Sequence, residues 1–113
     1  MTQEETNSGN LLIAKFLEWK RGMLTEWIDP EAEPEKGFVP IHNPDGSSMR
    51  FNKSWDALMP AIQKFDGLSE LFGNPRYTDR CEKQDDAVTL YRIESAYNVL
   101  VENLIWYYSE VSL

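Results

Sequence analysis

The sequence predicts an α+β fold, a small and mostly antiparallel sheet packed with about three helices in helix/sheet/helix layers. Three observations predict it. Helical spacing of apolar residues recurs in three separated stretches, two short apolar runs flank an Asn-Pro-Asp-Gly turn, and the chain has the length and apolar content to bury one core. At 113 residues with 42% hydrophobic and 12% aromatic residues it is expected to order as one domain over 10–113, behind a flexible N-terminus at 1–9.

The first helix is expected from Asn10. Leu12, Ile13, Phe16, Trp19 and Met23 fall on one side of a helical wheel, and Glu18 and Arg21 on the other. Ser8 and Asn10 are its candidate caps, and Gly22 its candidate end. Residues 26–36, EWIDPEAEPEK, hold five acids and two prolines and read as a solvated loop. The functional alternative makes Glu26, Asp29, Glu31, Glu33 and Glu35 a docking surface for a basic partner.

Residues 38–41 and 49–51 are expected to pair as a hairpin around NPDG at 43–46. Pro44 and Asp45 suit the central turn positions, and Gly46 accepts a positive φ. Pro40, unable to donate to a ladder, belongs on its edge. In NKSWDALMPAIQKF, Ser54 caps a second helix whose apolar arc is Trp55, Leu58, Met59, Ile62 and Phe65, with Trp55 expected buried. Pro60 falls opposite that arc, where a bend toward solvent reduces its cost. Residues 67–86 are turn-rich through Gly67, Gly73 and Asn74-Pro75, with a strand or two expected to join the hairpin.

A long C-terminal helix is expected from about Asp86 to Ser109, capped by Asp85 or Asp86. Leu90, Ile93, Ala96, Tyr97, Leu100, Val101, Leu104 and Tyr108 share its apolar face. Val99 and Trp106 point elsewhere and are read as an interaction surface. The competing reading has the acidic loop, with Trp27 or Trp19, covering them.

The formal charge of −8 repels phosphate and anionic lipid, so direct nucleic-acid and membrane-surface binding are disfavoured. Its ordinary consequence is solubility. The apolar run at 104–108 is far short of the ~20 residues that span a bilayer. A lone cysteine and no leader-type segment point to the cytoplasm.

Little here supports catalysis. His42, the one histidine, reads as a surface turn residue with no second histidine to share a metal. Cys81 has Asp79 and Glu82 beside it as well as Arg80 and Lys83, so nothing clearly activates its thiol. No GxGxxG or GxxxxGK[ST] loop is present. No metal, cofactor or catalytic residue is expected.

The segments LLIAKFLEWK, FNKSWDALMPAIQKF and IESAYNVLVENLIWYYSE resemble a group of small uncharacterised proteins of phages and prophages, of the phage ABA-sandwich type. The resemblance implies helices on both faces of a sheet and a phage-related setting, and supplies no site residues. The expected function is a non-enzymatic protein-binding or assembly module acting on a protein partner, with a homodimer through the C-terminal helix as one form. The alternative is an acidic nucleic-acid mimic that inhibits a host nucleic-acid-handling or defence protein.

Overall fold

Thr2 opens the first helix, α1 (Gln3–Phe16), through a capping box: its hydroxyl accepts from Glu5 N at 3.1 Å, and the Glu5 carboxylate accepts from Thr2 N at 3.2 Å. The bond from Thr2 N, and after it one from the Thr2 side chain, holds the Glu5 carboxyl below its usual range. The computed structural model describes residues 2–21, 27–28, 41–42, 45–47 and 49–111. They fall into two compact units, Met1–Met49 and Arg50–Leu113.

In the first unit α1 starts seven residues before the expected Asn10, because the capping signal lies at Thr2 and Glu5 rather than at Ser8. Asn10 sits inside the helix, fully buried, and its amide donates to the carbonyls of Gly46 at 3.0 Å and Met49 at 3.4 Å. Gly46 has φ +84, and a Cβ there would stand 2.7 Å from the Asn7 carbonyl oxygen, so helix and turn meet at a position only glycine fits. The Ser47 side chain, and then Ser47 N donating to Asp45 Oδ1 at 2.9 Å, hold that carboxyl low.

The helix ends without a glycine. Glu18 takes φ 62, Glu18 N donates to Lys15 O and Trp19 N to Ala14 O, both at 3.0 Å, the two bonds of a Schellman end. Gly22 lies outside the described residues. After the helix β1 (Lys20–Arg21), β2 (Trp27–Ile28) and β3 (Ile41–His42) pair antiparallel in the order β1-β2-β3, with Arg21 opposite Trp27 and Trp27 opposite His42.

The second unit is helical. Ser54 caps α2 (Trp55–Asp66) by accepting from Ala57 N at 3.4 Å, and Leu58, Ala61, Ile62 and Phe65 are buried. The helix runs through Pro60. Trp55 is half-buried rather than buried. A 3-10 turn (Ser69–Leu71) leads to Asn74, whose Oδ1 accepts from Arg76 N at 2.9 Å and Tyr77 N at 3.4 Å and so caps α3 (Pro75–Thr89). After a turn at 90–92 comes α4 (Ile93–Trp106), continued by a π-helical turn (Tyr107–Val111).

These elements overturn the α+β expectation and the helix/sheet/helix layering implied by the resemblance. Among the described residues four helices dominate, and strand pairing is confined to the three two-residue strands. Two readings failed for physical reasons. Asn74-Pro75 is a helix start, with proline at the first helical position where its missing N–H costs nothing, rather than a turn between strands. The expected second hairpin arm, residues 49–51, runs into a turn with Met49 and Phe51 buried; Pro40 and the rest of 38–40 lie outside the described residues. The expected C-terminal helix is in fact the end of α3, a reversal and α4. Asp85 and Asp86 therefore lie inside α3 rather than capping.

A polar seam joins α3 to α4. Gln84 and Asn103 are buried; Gln84 Nε2 donates to Ala96 O at 3.0 Å, and Asn103 Nδ2 to Gln84 Oε1 at 3.3 Å and Arg80 O at 3.2 Å. Arg80 Nη1 returns a bond to Asn103 Oδ1 at 3.3 Å. Every partner is specific in direction and spacing, so the seam fixes the register of the two helices in a way apolar packing alone would not. Tyr77 performs the same task between α2 and α3: its hydroxyl donates to Phe65 O and accepts from Leu68 N at 3.2 Å, with the Phe65 ring 5.3 Å away.

Candidate functional site

The paired helices α3 and α4 set out three features: a reversal at one end, a groove toward the other, and a half-buried acid beside Cys81. At the reversal, Leu90 N donates to Asp86 O at 3.2 Å and Tyr91 N to Val88 O at 3.0 Å. Tyr91 takes φ 54, a left-handed conformation costing a bulky residue roughly 1–2 kcal/mol that glycine would not incur. Its side chain is nonetheless 86% exposed, beside Leu90 at 66%. Leu90 was expected on the buried face; once the chain reverses after Thr89 it no longer shares the α4 wheel.

Trp106, read either as part of an interaction surface or as covered by the acidic loop with Trp27 or Trp19, is only 7% exposed. The single-helix wheel missed the packing of α3 along a second side of α4, where the Arg80 guanidinium lies 5.1 Å from the centre of the Trp106 ring. Val99 is half-buried. Neither residue therefore forms the open patch the wheel suggested. The acids Glu26, Asp29, Glu31, Glu33 and Glu35 lie outside the described residues. Ile105 stands 54% exposed on α4.

The groove, of about 350 Å³, is lined by Arg76, Asp79, Arg80 and Lys83 of α3, Trp106 of α4, and Glu110 of the π-helical turn. Arg76, Arg80 and Lys83 recur at i, i+4 and i+7, which puts all three cations on one helix face. Reading residues 67–86 as turns and strands hid this spacing.

Asp66, the last residue of α2, has Cys81 and Asp85 of α3 beside it. Burial, and then the Asp85 charge, push its carboxyl up to about 6. Asp66 Oδ1 and Trp106 Nε1 are buried without hydrogen-bond partners among the described residues. Burial pushes the Cys81 thiol up to about 11, with the Asp66 and Asp85 charges adding to it against a lowering contribution from Tyr77. At neutral pH that thiol is protonated and a poor nucleophile. Burial also raises Tyr77, whose hydroxyl is already engaged by α2.

Among the described residues no three His, Cys, Asp or Glu side chains are grouped to hold a metal ion, and no helix is long and apolar enough to cross a membrane. His42 lies in β3. In comparisons with known proteins, no family model, curated protein or solved structure matches the chain.

Proposed function

We propose that this chain is a non-enzymatic protein-binding module of phage type that engages a protein partner through the tip of its α3–α4 hairpin. The observation that carries the reading is Tyr91, an aromatic side chain held almost wholly in solvent at a backbone position that penalises it. Strain of this kind persists where the surroundings over-determine it and gathers at functional sites. Aromatic anchors also dominate the energetics of protein interfaces. Leu90 supplies adjacent apolar area. The buried groups that could have suggested catalysis have structural work instead: Tyr77 joins α2 to α3, and Cys81 is held as a neutral thiol. The phage-related setting rests only on the resemblance of the SWDALMP and IESAYNVLVENLIWYY segments to phage and prophage proteins, whose implied helix/sheet/helix layering the described residues do not share.

The test is a photo-reactive phenylalanine analogue placed at Tyr91 and, as control, at exposed Glu82 on the flank of α3. Irradiation in producing cells is expected to give a discrete covalent adduct from position 91 and none from position 82. An adduct at twice the chain mass identifies a second copy as the partner. Equal adduct patterns from both positions, or none from 91, would overturn the proposal.

A further inference from the structure

The cationic face of α3 is out of keeping with a chain of net charge −8. We infer that the groove between α3, α4 and the π-helical turn is a binding site for a small oxyanion-bearing ligand, a phosphate or a carboxylate, held by Arg80 and Lys83 beside Trp106. Five observations on the groove combine.

Arg80 is fixed before any ligand arrives. Its Nη1 bond to Asn103 Oδ1 and its position over Trp106 leave a guanidinium whose other four donors are already oriented. Lys83, one turn further along the same face, is exposed, and the structure shows no ion pair for it among the described residues. Its ammonium is open to a ligand.

The acids of the groove leave this cationic end in place. Glu110 Oε2 stands 4.0 Å from Arg76 Nη1, with both side chains more than half exposed, a contact at the outer limit of an ion pair. Asp79, four residues before Lys83 on α3, opposes an anion, so the lining sets three cations against two acids. Trp106 lines the groove while its Nε1 is buried without a partner among the described residues, an unusual state for a polar group that ordinarily finds a hydrogen bond. At about 350 Å³ the groove is near the lower limit for small-molecule sites, a fit to a compact ligand rather than a peptide. The inference is independent of the hairpin-tip reading, since the groove and Tyr91 use different residues.

The test follows the indole N–H resonance of Trp106, assigned with Trp106→Phe, during titration with sodium phosphate, sodium malonate and, at matched ionic strength, sodium chloride. Phosphate or malonate is expected to move the resonance to saturation and chloride to leave it nearly still; the tighter of the two identifies the ligand class. Lys83→Gln, which removes an exposed cation, should weaken binding about three- to fivefold, and Arg80→Gln by more, while Arg92→Gln, outside the groove, leaves it unchanged. Lys83→Gln keeps the test valid if loss of Arg80 disturbs the seam. Shifts equal to those in chloride, or saturable binding untouched by Lys83→Gln, would overturn the inference.

Discussion

Replacing Asp66 by Asn should stabilise the protein at pH 8 and do little at pH 4. The Asp66 carboxyl is pushed from 3.8 to about 6 by burial and by Asp85. The direction of the pH effect follows from which state ionises first. As pH rises from about 4, the unfolded chain loses this proton readily while the folded chain keeps it, so folding stability is full below the unfolded value and falls until pH passes about 6. Two pKa units correspond to roughly 3 kcal/mol. Asp66 is half-exposed, and solvent screening brings the expected cost to about 1 kcal/mol. Asn keeps the shape and removes the charge, so its advantage appears through the same window. Glu5 and Asp45, whose carboxyls are lowered, act in the opposite sense as pH falls through their ordinary values of 4.5 and 3.8, and they cancel in the difference between variant and parent. Urea unfolding at pH 4, 5, 6 and 8 measures that difference. An Asn variant less stable than the parent at pH 8, or a difference that does not change with pH, would refute the reasoning.

Two further substitutions address packing. Gly46→Ala places a Cβ 2.7 Å from the Asn7 carbonyl oxygen at a φ of +84, so it should destabilise by about 2 kcal/mol or more in urea unfolding, well beyond the glycine-to-alanine change at an open turn such as Gly73. Trp106→Ala removes a buried ring and the platform of Arg80. It should cost about 3–5 kcal/mol and lower the thermal midpoint, where an exposed interface tryptophan would have left stability almost unchanged.

What could be read from the sequence follows from which signals were unambiguous. Ser54 and the Leu58, Ile62 and Phe65 spacing were legible because cap and periodicity agreed, and the buried face of α4 at Ala96, Tyr97, Leu100, Val101 and Leu104 was legible for the same reason. The ends of helices were not. Glu18 and Tyr91 occupy left-handed positions that glycine usually marks, so α1 ran on in the expectation to Gly22, and α3 and α4 were misdivided. Asn74-Pro75 carries the same residues whether it starts a helix or makes a turn, and only the partners of Asn74 Oδ1 tell the two apart. That misreading removed α3, and with it the Arg76, Arg80 and Lys83 face, the cover over Trp106, and the surroundings of Asp66. The exposed tip at Tyr91 was hidden too, since a wheel drawn through 86–109 placed Leu90 inside.

Backbone chemical shifts across residues 67–109 test the helical account most directly, because every proposed site depends on α3 existing and reversing into α4. Helical shifts over 75–89 and 93–106, broken at 90–92 with a left-handed signature at Tyr91, are the predicted result. Extended shifts anywhere over 76–88, or one unbroken helix from 86 to 109, would contradict it.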